Sequence, residues 1–477
     1  MNRAGPSLLA TLSLLAGCAS GRHTPRPDIH LPVAFEAPRD ITRPGAPLER
    51  WWSAYDDPQL EQLIRQALAD APDARSARAR LDEAVAVRGG ALAAYWPQGG
   101  LQGSAVKTAS HLLSGPSAIF IPGAGPVSLD NSGTTNSYSA DFSVSWEIDL
   151  FGRARAARGK ANADLAAARF DYEATRTSLA ANVADQLFQA RGLAIQLEDA
   201  REEQRIQRGL ADIARRRAVH GVGSTADAEQ TAALVAQADA RVADLASQLH
   251  VARRILLVLV GQGVDPLDSL PTPAEAGTPP AVPTTAPGEL LARRPDVREA
   301  AEAVASALGQ LKLDQLALLP RLTLNPELGI SAGPGFGGPA SSEFWSIGLG
   351  LTQPILDLPR LKSKIRAQGA RADQAIIAYE KAVQTAYGEA ENALVALSAD
   401  EARVALLTTG EAEAQSAYRG ARANYAAGVE DLTSTLQAER TWRNARTALT
   451  GARVQALRRS VQAFKALGGG WSPAPTA

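Results

Sequence analysis

Residues 127 to 265 and 360 to 472 contain no proline, although the chain has 29 prolines among its 477 residues. An interior proline costs a helix about 3 kcal/mol, so its avoidance over polar, alanine-rich sequence predicts very long helices. Within the first stretch Val183, Leu187, Ala190, Ala194 and Leu197 recur at alternating steps of four and three, and Ile206, Leu210 and Ile213 are expected to resume the stripe. That pattern is a coiled-coil seam. The spans from Arg153 to His220 and from Arg360 to Ala427 each end at a glycine, Gly221 and Gly428, the residue a helix C-terminal cap favours. At 1.5 Å per residue each helix is about 100 Å long, far beyond a bilayer, and has to project into an aqueous compartment.

The two halves of the chain match each other. "ADAPDARSARA" at 69 to 79 aligns with "ARRPDVREAAE" at 292 to 302, and Gly221 in "AVHGVGSTADAEQ" aligns with Gly428 in "YAAGVEDLTSTLQ". A tandem duplication of helix, β-hairpin and long helix follows. The first repeat covers 58–288, with its hairpin at about 98–150, long helices over 153–262 and a proline-rich linker at 263–288. The second covers 289–467, with its hairpin at about 321–356 and helices over 360–467, and 468–477 is a tail. The ascending helix at 222–262 is expected to stack on 289–319, and 429–467 on 58–96, where Asp57 and Pro58 read as N-cap and first helical position.

The hairpins carry a second period. From Tyr138 to Leu150 every even position is apolar or small and every odd one polar. Leu322, Leu324, Leu328 and Ile330 alternate likewise, as do Trp345, Ile347, Leu349 and Leu351. Loops are expected at 113–137 and 333–342, and "GPGFGG" at 333–338 reads as a surface turn rather than a phosphate loop. Four strands in so helical a protein have no core to face, cannot close a barrel, and cannot leave an open edge in lipid. Several chains sharing one barrel, apolar outward and polar toward a water-filled lumen, satisfy the pattern. A soluble sandwich on a helical stalk is the alternative.

Composition narrows the chemistry. Basic and acidic residues number 49 and 50, which gives no reason to expect nucleic acid as a partner. One cysteine and five dispersed histidines offer no metal cluster, no cofactor motif is present, and no catalytic constellation appears. Arg3, the apolar run Leu8 to Leu15 and the small residues after it form an export signal, 1–17. "LAGC" at 15 to 18 resembles a bacterial lipoprotein box, which implies cleavage before Cys18, its lipidation, and an extended segment over 18–57. Ser20 in place of an inner-membrane retention aspartate implies outer-membrane sorting.

"WW" with "DPQLEQLIRQAL" (51 to 68), "WEIDLFGRAR" (146 to 155), "LLARRPDVREAAE" (290 to 302), "ANYAAGVEDL" (423 to 432) and "KALGGGW" (465 to 471) together resemble the TolC/OprM family of outer-membrane channel proteins, in its lipoprotein, NodT-like efflux branch. The resemblance implies a mainly α fold with a transmembrane β-barrel portion. It implies a homotrimer whose twelve-stranded barrel continues into a twelve-helix periplasmic α-barrel. Implied partners are a periplasmic membrane-fusion adaptor, an inner-membrane resistance-nodulation-division (RND) transporter and outer-membrane lipid. Glu430 and Asp431 fall at the family's acidic periplasmic gate; by themselves they read better as helix N-terminal acids, and the resemblance reverses that reading for Glu430. Gly221, Val222, Gly428, Val429 and Arg217 fall at helix-tip and adaptor-contact positions. Arg215, Arg216 and Arg217 either cap the descending helix or pair across protomers.

An enzyme is not indicated. An exit duct for small molecules in a tripartite efflux pump explains strands, helices and anchor together; a type I protein secretion channel and a non-conducting periplasmic spacer are the alternatives.

Overall fold

The computed structural model describes residues 29–37, 42–43, 48–111, 113, 118–123, 125–128, 133–283, 285–335, 338–427, 429 and 432–471. Cys18, Gly428, Glu430 and Asp431 lie outside them. The chain divides into two compact units, one of residues 84–165 and 304–372, the other of the remainder. The protein is mainly helical, with one principal antiparallel sheet. None of the described helices is long and apolar enough to cross a membrane.

The sheet unit holds four strands in sequential order: β1 (Gln98–Ser110), β2 (Gly133–Ile148), β3 (Arg321–Gly335) and β4 (Gly338–Thr352). All three pairings are antiparallel. The strands outrun the expected loops: β2 begins at Gly133, and β3 and β4 pair down to Gly335 and Gly338. Glycine and proline at the end of a two-stranded ribbon do not stop pairing where no further strand needs their N–H groups. Inside the longer first loop Ala118–Ile121 pairs with Gly125–Ser128, an element without a counterpart in the second hairpin.

Helix α1 spans Pro58–Asp70 and α2 Pro72–Ala93; α3 spans Arg153–Val219 (67 residues) and α4 Thr225–Leu259 (35). After the linker come α5, Pro295–Leu316, α6, Leu358–Ala426 (69 residues), and α7, Leu432–Ala466 (35). The expected helices at 58–96 and 289–319 are each broken. Ala71 has ψ 137° and Arg294 ψ 120°, because each precedes a proline whose ring excludes the helical conformation there.

The stacking partners are exchanged relative to expectation. At the end of α4, a Cβ on Gly261 would lie 2.9 Å from the Asp70 carbonyl oxygen, beside the start of α2. At the end of α7, Gly468 stands equally close to Arg293, and Arg294 donates to the Ala466 carbonyl at 3.2 Å, beside the start of α5. The end of α4 thus meets the start of α2, and the end of α7 the start of α5, each within its own repeat. Continuity of the chain suggested the reverse, but the linker after α4 is long enough to cross to α5.

The core of the helical unit gathers around Trp51, which is fully buried, stacks on Phe464 at 5.7 Å and meets Trp52 and Tyr55 edge-on. Leu60, Ile64, Leu187, Leu256, Leu397 and Leu457 surround it. Asp57 caps α1 by accepting from the Gln59 and Leu60 amides, both at 3.1 Å, and Arg191 of α3 grips the same carboxylate. Residues before α1 pack on the helices: Phe35 stacks on Tyr387 at 5.8 Å, and Ile29 and Leu31 lie beside Val297 and Val383.

The α3 seam holds from Val183 to Leu197, all buried, but does not pass through Ile206, Leu210 and Ile213; Ile213 is 54% exposed. From Leu197 to Ile206 is nine residues, a turn of about 180° at 100° per residue, which puts Ile206 on the opposite face. The buried line continues instead through Ala200, Gln207 and Ala214.

Candidate functional site

The register of the sheet lays out two chemically distinct faces. On one, Leu101, Phe142, Leu328 and Trp345 form a row across all four strands, followed by Trp146, Leu324 and Leu349. These are exposed in the chain: Leu328 is 58%, Trp345 79% and Leu349 66% accessible. On the other face Ser104, Ser139, Ser331 and Ser342 form a row, with Ser104 to Ser139 and Ser331 to Ser342 hydroxyl contacts of 2.9 Å, and Ser145 donates to Asn325. Phe344 breaks that polar face. A Cβ on Gly329 would lie 2.7 Å from its ring, so glycine is what lets the phenyl lie flat on the sheet.

Where sheet meets helix, Asp149 accepts from the Arg153 and Ala154 amides at 2.6 and 3.2 Å and caps α3. The buried Arg153 guanidinium reaches Glu147 at 2.9 Å and the Leu316 carbonyl at 2.7 Å, tying the foot of β2 to the end of α5.

In the helical unit α7 is bound to α3 by charge. Arg458 forms a two-pronged pair with Asp185 and adds Gln189, and Arg446 reaches Asp199 at 2.6 Å. Between them a Cβ on Gly192 would lie 2.5 Å from Val454, which fixes how closely the two helices approach. Trp442 of α7 stacks on Tyr418 of α6 at 5.3 Å and donates to Glu411. Near the α5 start, burial alone would raise the Asp296 carboxyl, but the hydrogen bonds and charge of Arg294 prevail and hold it low.

The turn after α3 is a complete Schellman motif. Gly221, at φ 70°, donates its N–H to the Ala218 carbonyl at 3.1 Å, and Val222 donates to Arg217 at 3.0 Å. After α6 the Val429 amide donates to the Asn424 carbonyl at 2.9 Å, the same bond at the equivalent place in the second half. Val222 and Val429 stand 67% and 79% exposed at the two tips. The arginines after Asp212 do not cap α3: Arg215 and Arg216 turn back onto Asp212, at 3.5 and 2.7 Å, while backbone N–H groups meet the last carbonyls. Among the described residues Arg217 has no charged partner. Asp227 is a first-turn acid of α4, whose N-cap is Ser224. The structure therefore groups Gly221, Val222 and Arg217 in one turn and puts Val429 at the other; Gly428, Glu430 and Asp431, like Cys18, are outside the described residues.

Sequence reasoning missed Arg294 and the α3 to α7 ion pairs. The one available signal, arginine on an otherwise core-facing line of α7, looks the same in sequence as an exposed arginine. Among the described residues no three His, Cys, Asp or Glu side chains stand close enough together to hold a metal ion.

A sheet with one bare apolar face and one hydroxyl-lined face, joined to helices of this length, defines the class of outer-membrane channel proteins. The chain belongs to the outer membrane efflux protein family, whose sequence model matches residues 63–262 and 286–469. It is 30% identical over 469 residues to the pyoverdine export outer membrane protein OpmQ of Pseudomonas putida, covering 97% of this chain and 96% of that one. It is 29% identical over 482 residues to the probable efflux pump outer membrane protein TtgC of Pseudomonas putida, covering 98% and 95%. Among solved structures it superposes on the outer-membrane channel OprN with a TM-score of 0.78 at 29% identity, covering 94% of this chain and 99% of that one. It is an outer membrane efflux channel by family, and its relatives are outer-membrane proteins rather than enzymes.

Proposed function

We propose that the chain is the exit duct of a tripartite RND-type efflux pump, passing small molecules from an inner-membrane transporter and a periplasmic adaptor across the outer membrane. Three copies close a twelve-stranded barrel above a twelve-helix periplasmic barrel. The observation that carries this reading is the sheet itself: β1 and β4 are edge strands, and the apolar face between them has no cover among the described residues. An open edge is not tolerated in lipid, so pairing β4 of one copy with β1 of the next is the closure that satisfies every strand. Val251, Ile255 and Val258, exposed at steps of four and three along α4, and Ile377 and Leu406 on α6 supply apolar surface for contact between copies.

In this reading lipidated Cys18 anchors the chain in the outer membrane. The tips carrying Val222 and Val429 meet the adaptor. Glu430 and Asp431 of three copies ring the axis and form a gate that opens like an iris as the helix hairpins separate. Arg217, which has no charged partner among the described residues, is a cation available to those carboxylates.

Deleting the gene from its own host and following ethidium accumulation tests the efflux assignment. The duct predicts higher accumulation, restored by the wild-type gene and not by Cys18→Ala if anchoring is required. Unchanged accumulation together with loss of a secreted protein would instead establish the type I secretion reading.

A further inference from the structure

A cavity of about 760 Å³ opens in the helical unit where α7 ends against the start of α5, between α3 and α6. Helix faces that meet around such a space ordinarily supply leucine and valine. Here they supply Gln455, Arg458, Arg459, Gln462 and Lys465 from α7, with Thr177 and Asp185 from α3 and Glu389 and Asn392 from α6.

The charges in it are unevenly committed. Arg294, at the cavity edge and nearly buried, is saturated by Asp296, Glu389 and the carbonyls of Ala386 and Ala466. Arg458 is held by Asp185 and Gln189. These two arginines offset two of the three acids of the lining, so its four cations exceed its acids by a single charge. The surplus falls to Lys465, which has no ion pair among the described residues, while Arg459 has a 3.5 Å ion pair with Asp400. Gln455, Gln462 and Asn392 add side-chain amides that make no hydrogen bond among the described residues. An uncommitted ammonium with these amides around one space makes a donor-rich site, which suits an oxyanion through charge-assisted hydrogen bonds.

We propose that this cavity binds a small polyvalent oxyanion, carrying carboxylate or phosphate groups, held chiefly by Lys465 and Arg459. The site joins the end of α7 to the start of α5 and to both long helices, so an occupied site ties together four helices. Its argument rests on these side chains and not on the chain being a duct.

The test is thermal unfolding of the full-length protein in detergent, titrated with citrate and with pyrophosphate at constant ionic strength. A ligand at free concentration L that binds only the folded state stabilises it by RT ln(1 + L/Kd), so Tm climbs with the logarithm of concentration once Kd is passed. Either anion is expected to give that logarithmic rise, and Lys465→Gln with Arg459→Gln is expected to shift its onset to at least tenfold higher concentration. Both positions are half-buried or exposed, so the double variant should fold; Lys312→Gln, on α5 and outside the cavity lining, should leave the titration unchanged. A Tm rise that is the same in the double variant, or that sodium chloride of matched ionic strength reproduces, would overturn the proposal.

Discussion

Arg446 reaches Asp199 across 2.6 Å and fastens α7 to α3 through a carboxylate that is only 16% exposed. Burial pushes the Asp199 carboxyl up, and the charge and hydrogen bond of Arg446 only partly offset this. The folded chain therefore holds that proton more tightly than the unfolded chain. Stability from this group is greatest at low pH and is lost as pH rises through the ordinary aspartate range toward the raised folded value. Asp199→Asn removes the titration, so the stability of the variant relative to wild type should grow as pH rises from the ordinary aspartate value toward the raised folded one, and level off above it. Urea unfolding across that range measures it; a difference that shrinks with rising pH would refute the assignment.

Gly192 and Val454 set the spacing of α3 and α7. Alanine at 192 gains about 1 kcal/mol in helix propensity, but its methyl must displace Val454, a clash that costs about 1–3 kcal/mol. Gly192→Ala should therefore be neutral to destabilising alone, and clearly stabilising in a Val454→Ala background. A double-mutant cycle reads the coupling, expected at about 1–2 kcal/mol. Additive effects would mean the helices are not in contact there.

Asp57 serves two partners, the first amides of α1 and the Arg191 guanidinium, which is 11% exposed. Removing one member of a nearly buried pair costs about 3–5 kcal/mol. Asp57→Ala should lose that much in denaturant unfolding. Asp57→Ser restores the cap but not the charge and should recover only about 1 kcal/mol. Full recovery by serine would show that Arg191 contributes nothing.

At the tip, Gly221 adopts φ 70°, where an L side chain costs about 1–2 kcal/mol. Gly221→Val should speed hydrogen exchange of the Val222 amide, which closes the turn on Arg217, by roughly tenfold. Gly221→Asn should exchange nearly as slowly as wild type, since asparagine tolerates this conformation. Equal protection in all three would show that the turn is held by something other than its backbone bonds.

Much of this was written in local pattern. Proline avoidance marked α3 and α6, the period of two marked β2 and β4 with their faces, and Asp57 before Pro58 marked the α1 cap. The breaks at Ala71 and Arg294 were also within reach, because each stands before a proline whose effect is local. The pairing of helix ends was not legible. Whether α4 closes on α2 or on α5 depends on Gly261 meeting Asp70 in space, and no spacing rule reports a distance between residues so far apart in the chain. The buried line of α3 was misread beyond Leu197 for a related reason: isoleucine outweighed glutamine by hydropathy, while geometry put Gln207 inside. The arginines of α7 give no sign in sequence of which of them is engaged.

The most direct test of the duct is single-channel recording of the detergent-purified protein in a planar bilayer, wild type beside Glu430→Ala/Asp431→Ala. A closed trimeric barrel gated at its tips predicts discrete, cation-selective steps that grow larger or lose selectivity in the variant. A protein that never conducts, and that stays soluble without detergent, would contradict it.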